Sequence, residues 1–296
     1  MSTAAFEALT PVAWTLPHGV QLNTVREGQG MPLIFIHGAM GDWRSWAAQW
    51  AAFTPHFDCI SYSRRYSFPN HNAMPSPDHG ALHEAQDLQL LMDAMGIERA
   101  VLVGSSYGAF TALALAVQSP RRVQAVVAVE PPMMKYASHT PQGQAVAEAF
   151  RREVIEPANA AFRAGEDERA AQIMTGGING GQSAVNSGAA MTRRLQNLRA
   201  MKMLALSSDE FPLLTPEQLH ALRMPVLLLA GRQTQPVHRA IFENVCAAMP
   251  QARHGWVDGA GHGVTREQPE TFNRLALDFL LERPGEDPRL HTMCMP

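Results

Sequence analysis

The sequence predicts an α/β fold: buried parallel strands alternating with helices, interrupted late in the chain by a helical insertion. Three observations lead there. Short apolar runs rich in β-branched residues recur along the chain, each stopped by Gly, Pro or a polar pair, as buried parallel strands should be. Helical patterns separate them, the alternation that builds an α/β sheet. From Met133 to about Thr215 the alternation stops, and helical patterns follow one another with no convincing strand.

Val12 to Val25 reads as a hairpin turning at Pro17-His18-Gly19, with Gly28-Gln29-Gly30 as a second turn. Pro32 to Ile36 is an apolar strand running into His37-Gly38-Ala39-Met40-Gly41. Asp42 is placed to cap a helix, in which Trp43 and Trp46 share a face suited to helix–sheet packing. Phe57 to Tyr62 is the next strand. Arg64 and Arg65 leave its carboxyl end, where open α/β sheets place ligands, and are expected in structural ion pairs rather than on a substrate carboxylate. His71 to His83 reads as loop, with His56, His71, His79 and His83 solvated or packed on loops. Leu82 to Met95 is an amphipathic helix ended by Gly96.

Ala100 to Val103 is a buried strand, Ala109 to Val117 a helix halted by Ser119-Pro120, and Val123 to Val129 a strand stopping at Glu130-Pro131-Pro132. In the insertion, Gln144 to Ile155, Ala158 to Met174 and Ala189 to Leu206 read as helices, and the glycine-rich stretch from Thr175 to Gly181 as a loop. Met133, Met134, Met174, Met191, Met201 and Met203 crowd this region, as core filler or as an adaptable pocket lining. Pro225 to Ala230 restores the strand pattern, Pro236 to Met249 is helical, Ala252 to Val257 is the last strand and Glu267 to Leu281 the closing helix. The organisation expected is a core at 1–132 and 216–283, a helical cap at 133–215 and a tail at 284–296.

Composition narrows the partners. A formal net charge of −3 with no basic block argues against nucleic acid or an anionic membrane. No run approaches a membrane span, and the first eleven residues carry no signal-peptide pattern. Cys59, Cys246 and Cys294 are scattered and odd in number, with neither disulfide framework nor metal spacing, which suggests a reducing compartment. A cytoplasmic protein acting on a small molecule is the expectation.

Gly104-Ser105-Ser106-Tyr107-Gly108 matches G-x-S-x-G between a strand and a helix. At so sharp a turn only small residues two positions either side let the backbones pass, and the central hydroxyl, that of Ser106, is pushed out above the sheet. Ser105 is not centred between the glycines. The turn also aims the Tyr107 N–H at any oxyanion forming there. A strand running into His-Gly and a small residue is a known way to expose a second donor, here the Ala39 N–H.

The elbow, the His-Gly loop and the late Gly261-His262 lie in the order serine, acid, histidine on a βα framework. Together they resemble the α/β-hydrolase superfamily over nearly the whole chain apart from cap and tail. The resemblance implies a mostly parallel sheet of about eight strands with helices on both faces. It implies His262 as general base; His254 and His238 lie inside a strand and a helix. The acid departs from the usual pattern, because the loop Gly231 to Pro236 has no carboxylate. Some haloalkane dehalogenases of this fold carry the acid after the strand that follows the elbow, the place Glu130 holds here; Glu243 and Asp258 are rivals, and a site with no true acid, Glu130 only ending its strand, is the remaining alternative. A serine rather than an aspartate at the elbow argues against dehalogenase or epoxide hydrolase chemistry. The implied activity is a carboxylesterase on a small, largely apolar ester through an acyl-enzyme, with no cofactor and no metal. C–C bond hydrolysis, perhydrolase or haloperoxidase use of the same residues, and a ligand-binding protein on this scaffold stay open as alternatives.

Overall fold

The structure, a computed structural model, describes residues 3–74, 76, 78–180 and 188–282. The expected tail and Cys294 lie outside them. Eight strands form one sheet: β1 (Val12–Thr15), β2 (Gln21–Glu27), β3 (Pro32–Ile36), β4 (Asp58–Tyr62), β5 (Ala100–Ser105), β6 (Val123–Val129), β7 (Val226–Gly231) and β8 (Arg253–Val257). Their order is β1-β2-β4-β3-β5-β6-β7-β8. The pairs β1–β2 and β2–β4 are antiparallel and all others parallel. Strand alternation feeds a core on each face. Ile34, Ile36 and Leu102 join one apolar cluster, whereas Leu33, Phe35, Val101 and Val103 join the other.

Helices α1 (Thr3–Glu7), α2 (Ala47–Phe53), α3 (Ala81–Ala94) and α4 (Tyr107–Gln118) belong to the first half. Asp42 does cap, but what it caps is a single 3₁₀ turn, Trp43–Trp46, that leads into α2. Trp43 and Trp46 are buried in the core cluster below the sheet, as their spacing predicts. Helix α4 is buried over ten consecutive residues from Tyr107 to Ala116, because α3 covers the side that the sheet does not. Its Ala-rich composition keeps it thin enough to fit there.

Between β6 and β7 come α5 (Met134–Ala137), α6 (Pro141–Phe150), α7 (Glu156–Arg163), α8 (Asp167–Asn179), α9 (Gly188–Gln196) and α10 (Leu198–Leu206). They bury an apolar cluster of their own that includes Met174, Met191 and Met201, so these methionines act as core filler. The partition differs from the sequence expectation. A π-helical stretch, Arg151–Ile155, joins α6 to α7. The helix expected from Ala158 breaks after Arg163, where Gly165 turns at φ 77°. Asn197 splits α9 from α10, its buried amide donating to Asp42 (3.0 Å) while its oxygen accepts the Phe68 N–H (2.8 Å).

The glycine-rich stretch is helical as far as Asn179, ending on left-handed Gly180; Gly181 lies outside the described residues. Gly177 explains why a glycine sits inside α8: a Cβ there would lie 2.3 Å from the Val154 side chain. The residue is there for close helix packing, not for a loop.

The chain returns through 207–215 to α11 (Pro216–His220), and α12 (Pro236–Ala248), α13 (Val264–Glu267) and α14 (Pro269–Leu281) complete the fold. No described helix is long and apolar enough to cross a membrane.

Gly177→Ala tests the packing argument. Alanine gains about 1 kcal/mol of helix propensity. Overpacking against stiff, β-branched Val154 costs about 1–3 kcal/mol. The single variant is expected to unfold at lower temperature than wild type, and Val154→Ala added to it to recover stability; a single variant as stable as wild type refutes the contact.

Candidate active site

Ser106 sits at the top of β5 with φ 53° and ψ −118°, a backbone conformation that a non-glycine residue adopts only when its surroundings enforce it. Two contacts do the enforcing. A Cβ on Gly104 would lie 2.3 Å from the Gly108 carbonyl oxygen, and one on Gly108 would lie 1.9 Å from that of Ile36. Both glycines are therefore required by close approach of α4 to β5 and β3. Ser105 ends the strand, paired with Val129.

The side chains nominated by the sequence meet above the sheet. Ser106 Oγ is 3.0 Å from His262 Nε2, and His262 Nδ1 is 2.5 Å from Glu130 Oε2. An ionised carboxylate only accepts, so Nδ1 carries the proton and Nε2 is left to accept from the hydroxyl. Such a line can draw the Ser106 proton onto the imidazole. Glu130 is itself at φ 44° and nearly inaccessible. Its Oε1 accepts the Gly231 N–H and its Oε2 the Thr234 hydroxyl, both at 2.8 Å.

The rivals fall elsewhere. Glu243 is exposed near Arg239, and exposed Asp258 pairs with Arg232 at 2.8 Å. His254 pairs in register with Leu228 along β8. His238, from α12, is different: its ring stacks on His262, centroids 4.3 Å apart and planes 25° off parallel. Burial holds His238 well below the ordinary imidazole value, His262 pushes the same way and the Ile178 carbonyl opposes. It therefore stays neutral. Glu130, His238 and His262 also bring one potential ligand atom each within 4.8 Å. The donor set does not suit a tetrahedral ion, since stacked rings send their lone pairs side by side and both Glu130 oxygens already accept hydrogen bonds.

Ala39 lines the same cavity as Ser106 and His262, about 440 Å³ in volume. The Tyr107 N–H opens α4 and has no carbonyl of its own helix to reach. The Ala39 N–H shares a peptide plane with the Gly38 carbonyl and points the opposite way. That carbonyl is held from behind: His37 Nδ1 donates to it at 2.8 Å, and Arg64 Nη2 approaches to 3.4 Å. His37 Nε2 in turn accepts the Arg64 N–H (3.0 Å), which fixes the tautomer. Burial first, and Arg64 second, push His37 down to about 3, so it is a neutral strut.

Arg64 also donates to the Ala39 carbonyl at 3.3 Å, lies 3.8 Å from the Tyr107 ring centroid and pairs with Glu84 at 3.4 Å. The ion-pair expectation for Arg64 and Arg65 is met, Arg65 bonding Asp87 at 2.6 Å. The contacts of Arg64 behind the His-Gly loop were not legible in the sequence, and neither were Thr234 and His238. His79, expected on a loop, is buried against Glu84 at 3.1 Å.

A sequence profile of the alpha/beta hydrolase family matches residues 33–275. The chain is 28% identical over 216 residues to the sn-1-specific diacylglycerol lipase ABHD11 of Mus musculus, covering 71% of this chain and 69% of that protein. It is 24% identical over 262 residues to the 2-hydroxy-6-oxo-6-phenylhexa-2,4-dienoate hydrolase of Comamonas testosteroni, covering 86% and 90%. Among solved structures, a thermophilic esterase from Thermogutta terrifontis with malate bound superposes with a TM-score of 0.73 at 22% identity, covering 92% of this chain and 98% of that one. At that identity the likeness is one of fold.

Glu210, on the return segment, is buried near Tyr107. Burial pushes its carboxyl up to about 7, while the Tyr107 hydroxyl and the Arg64 charge pull it down. The native state thus holds this proton more tightly than the unfolded chain, whose carboxyl titrates near 4.5, and stability falls as pH rises through that window. Glu210→Gln, fixed in the uncharged form, is expected to be more stable than wild type at pH 8 by about 2–3 kcal/mol. Most of that gain should vanish by pH 5. Denaturant unfolding at both pH values checks it, and a gain independent of pH refutes the assignment.

Proposed function

This chain belongs to the alpha/beta hydrolase family, and from that premise we propose that it is a serine hydrolase, a carboxylesterase that cleaves small esters through an acyl-enzyme. The observation that carries the reading is the unbroken line from Ser106 Oγ through His262 to Glu130, at 3.0 and 2.5 Å, whose Ser106 and His262 line the cavity. A serine hydroxyl is a poor nucleophile until a base takes its proton, and His262 Nε2 is placed to take it.

Ser106 attacks the ester carbonyl as its proton passes to His262 Nε2, and Glu130 steadies the imidazolium. The N–H groups of Ala39 and Tyr107 hold the oxyanion, the first aimed by His37 and Arg64 through the Gly38 carbonyl. The tetrahedral species collapses with His262 protonating the departing alcohol. Water, deprotonated by the same imidazole, then opens the acyl-enzyme and returns Ser106. The helices between β6 and β7 act in this reading as a cap over the cavity, to which they contribute Ile178, Asn179, Ala190, Arg193 and Arg194. A second reading, C–C bond hydrolysis by the same residues, draws on the likeness to the Comamonas hydrolase.

A series of p-nitrophenyl esters tests the proposal. Ser106→Ala is expected to lose at least about 10⁴-fold in kcat and Glu130→Gln about 10³–10⁴-fold. Loss with Ser106→Ala but not with Glu130→Gln would leave the nucleophile standing and remove the acid. A wild type inert on every ester yet labelled at Ser106 by a fluorophosphonate would favour the C–C reading.

Arg64→Lys asks whether the guanidinium positions the oxyanion donor. An ammonium keeps the charge but cannot reach Glu84 and both carbonyls at once. The expected result is a fall in kcat of about 10–100-fold with KM nearly unchanged. A change confined to KM would assign Arg64 to substrate binding instead.

A further inference from the structure

His262 is held along its edge by two hydrogen bonds, from Nδ1 to Glu130 at 2.5 Å and from the Ser106 hydroxyl to Nε2 at 3.0 Å. Bonds at opposite ends of a ring define an axis, and tilting about that axis is resisted only by what packs on the faces. One face is covered by His238 of α12, with ring centroids 4.3 Å apart and planes 25° off parallel. Stability alone would not select a histidine for this place. The His238 side chain is buried, and its Nε2 has no hydrogen-bond partner. An unpaired buried polar atom costs about 1–3 kcal/mol, which an apolar side chain would avoid. Burial keeps the ring neutral, so its face can meet an imidazolium at His262 without repulsion.

The inserted helices hold His238 in turn. Phe150, the last residue of α6, packs its ring at 64° to the imidazole, with centroids 5.9 Å apart. The Ile178 carbonyl, in the last turn of α8, is one of the four that a helix leaves without an internal partner, and it acts on the His238 ring. Just beyond it, Gly180 presses on Gln235, the residue before α12: a Cβ there would lie 2.3 Å from the Gln235 amide nitrogen. His238 is thus wedged between the inserted helices and the imidazole that faces Ser106.

The two edge bonds do not last through an acyl-enzyme reaction. Once Ser106 carries the acyl group its hydroxyl proton is gone, and the bond to His262 Nε2 goes with it. The ring must then keep its place on Glu130 alone while Nε2 takes a proton from water. The water oxygen bonds the acyl carbon, the bond from that carbon to Ser106 Oγ breaks, and the proton passes from Nε2 to Oγ. We propose that His238 is a positioning residue that holds the His262 ring against Glu130 through this second half of the reaction. The inference rests on the acyl-enzyme reading for its kinetics and on the ring stack for its geometry.

One readout uses turnover and a second does without it, both on the full chain. On p-nitrophenyl butyrate, His238→Ala is expected to slow deacylation by about 10–100-fold. Acylation still has both edge bonds, so kcat/KM is expected to stay within about threefold while kcat and KM fall together. A burst of nitrophenol stoichiometric with enzyme should precede the slow steady state. His238→Phe, which keeps a flat face, is expected to recover most of the rate, and thermal unfolding of each variant reports folding. The second readout takes Ser106→Ala, in which the bond from the hydroxyl is permanently missing. The His262 Nδ1 proton is expected there as a low-field proton NMR resonance, and to broaden away by exchange with water when His238→Ala is added. A resonance indifferent to His238, a fall in kcat/KM at constant KM, or a His238→Phe variant as slow as His238→Ala would overturn the positioning role and leave the esterase reading standing. A wild type inert on esters, with the resonance lost as described, would remove the esterase reading and keep His238 as the brace of the His262 ring.

Discussion

The site depends on how closely α4 approaches the sheet. Gly108 lies against the carbonyl of Ile36, and Gly104 lies under the carbonyl of Gly108, so neither position admits even a methyl group without moving backbone. That double contact bends the chain at Ser106 into a conformation a serine would not choose, and it does so from two strands at once. Because Ile36 is the last residue of β3, the same contact fixes where His37, Gly38 and Ala39 emerge relative to Ser106. Hydroxyl and loop donor are therefore positioned by one packing constraint.

The rest of the hydrogen-bonded line follows from strand order. With β5, β6, β7 and β8 side by side, Ser106, Glu130, the loop after β7 and His262 leave the sheet along one edge. The loop after β7 has no carboxylate, and its role is inverted: it donates, through the Gly231 N–H and the Thr234 hydroxyl, to a carboxylate sent across from β6. Glu130 there meets three partners, counting His262. The absence of a carboxylate after β7 and the buried carboxylate after β6 are one arrangement seen from two loops.

Much of this was legible in sequence because it is written in local pattern. The strands Pro32–Ile36 and Val123–Val129 end where their apolar runs end, and the elbow announces itself by two glycines at fixed spacing. What was not legible has tertiary causes. Gly177 is a helix residue because Val154 faces it, and Asn197 breaks a good helical pattern because Asp42 and Phe68 use its amide. Nothing in the string Ser63-Arg64-Arg65 says that the first guanidinium will reach back to two carbonyls of a loop about twenty-five residues earlier. His79 does lie in the loop, as read, but its burial against Glu84 was not visible in the string.

Arg64, Glu84 and His79 form a buried polar group where apolar side chains of equal volume would often serve stability as well. The desolvation cost is set against an orientation that apolar contacts cannot supply. A peptide plane can rotate under van der Waals contact alone, since such contacts have little directional preference. A hydrogen bond at its carbonyl resists that rotation and so aims the N–H on the far side. His37 and Arg64 apply two such bonds to the Gly38 carbonyl, and neutral His37 adds no charge that would pull on a nearby anion. In the proposed esterase reaction, the cost of burying an arginine behind the loop is then the cost of having one N–H already pointed where negative charge would form, rather than reorganising when it does.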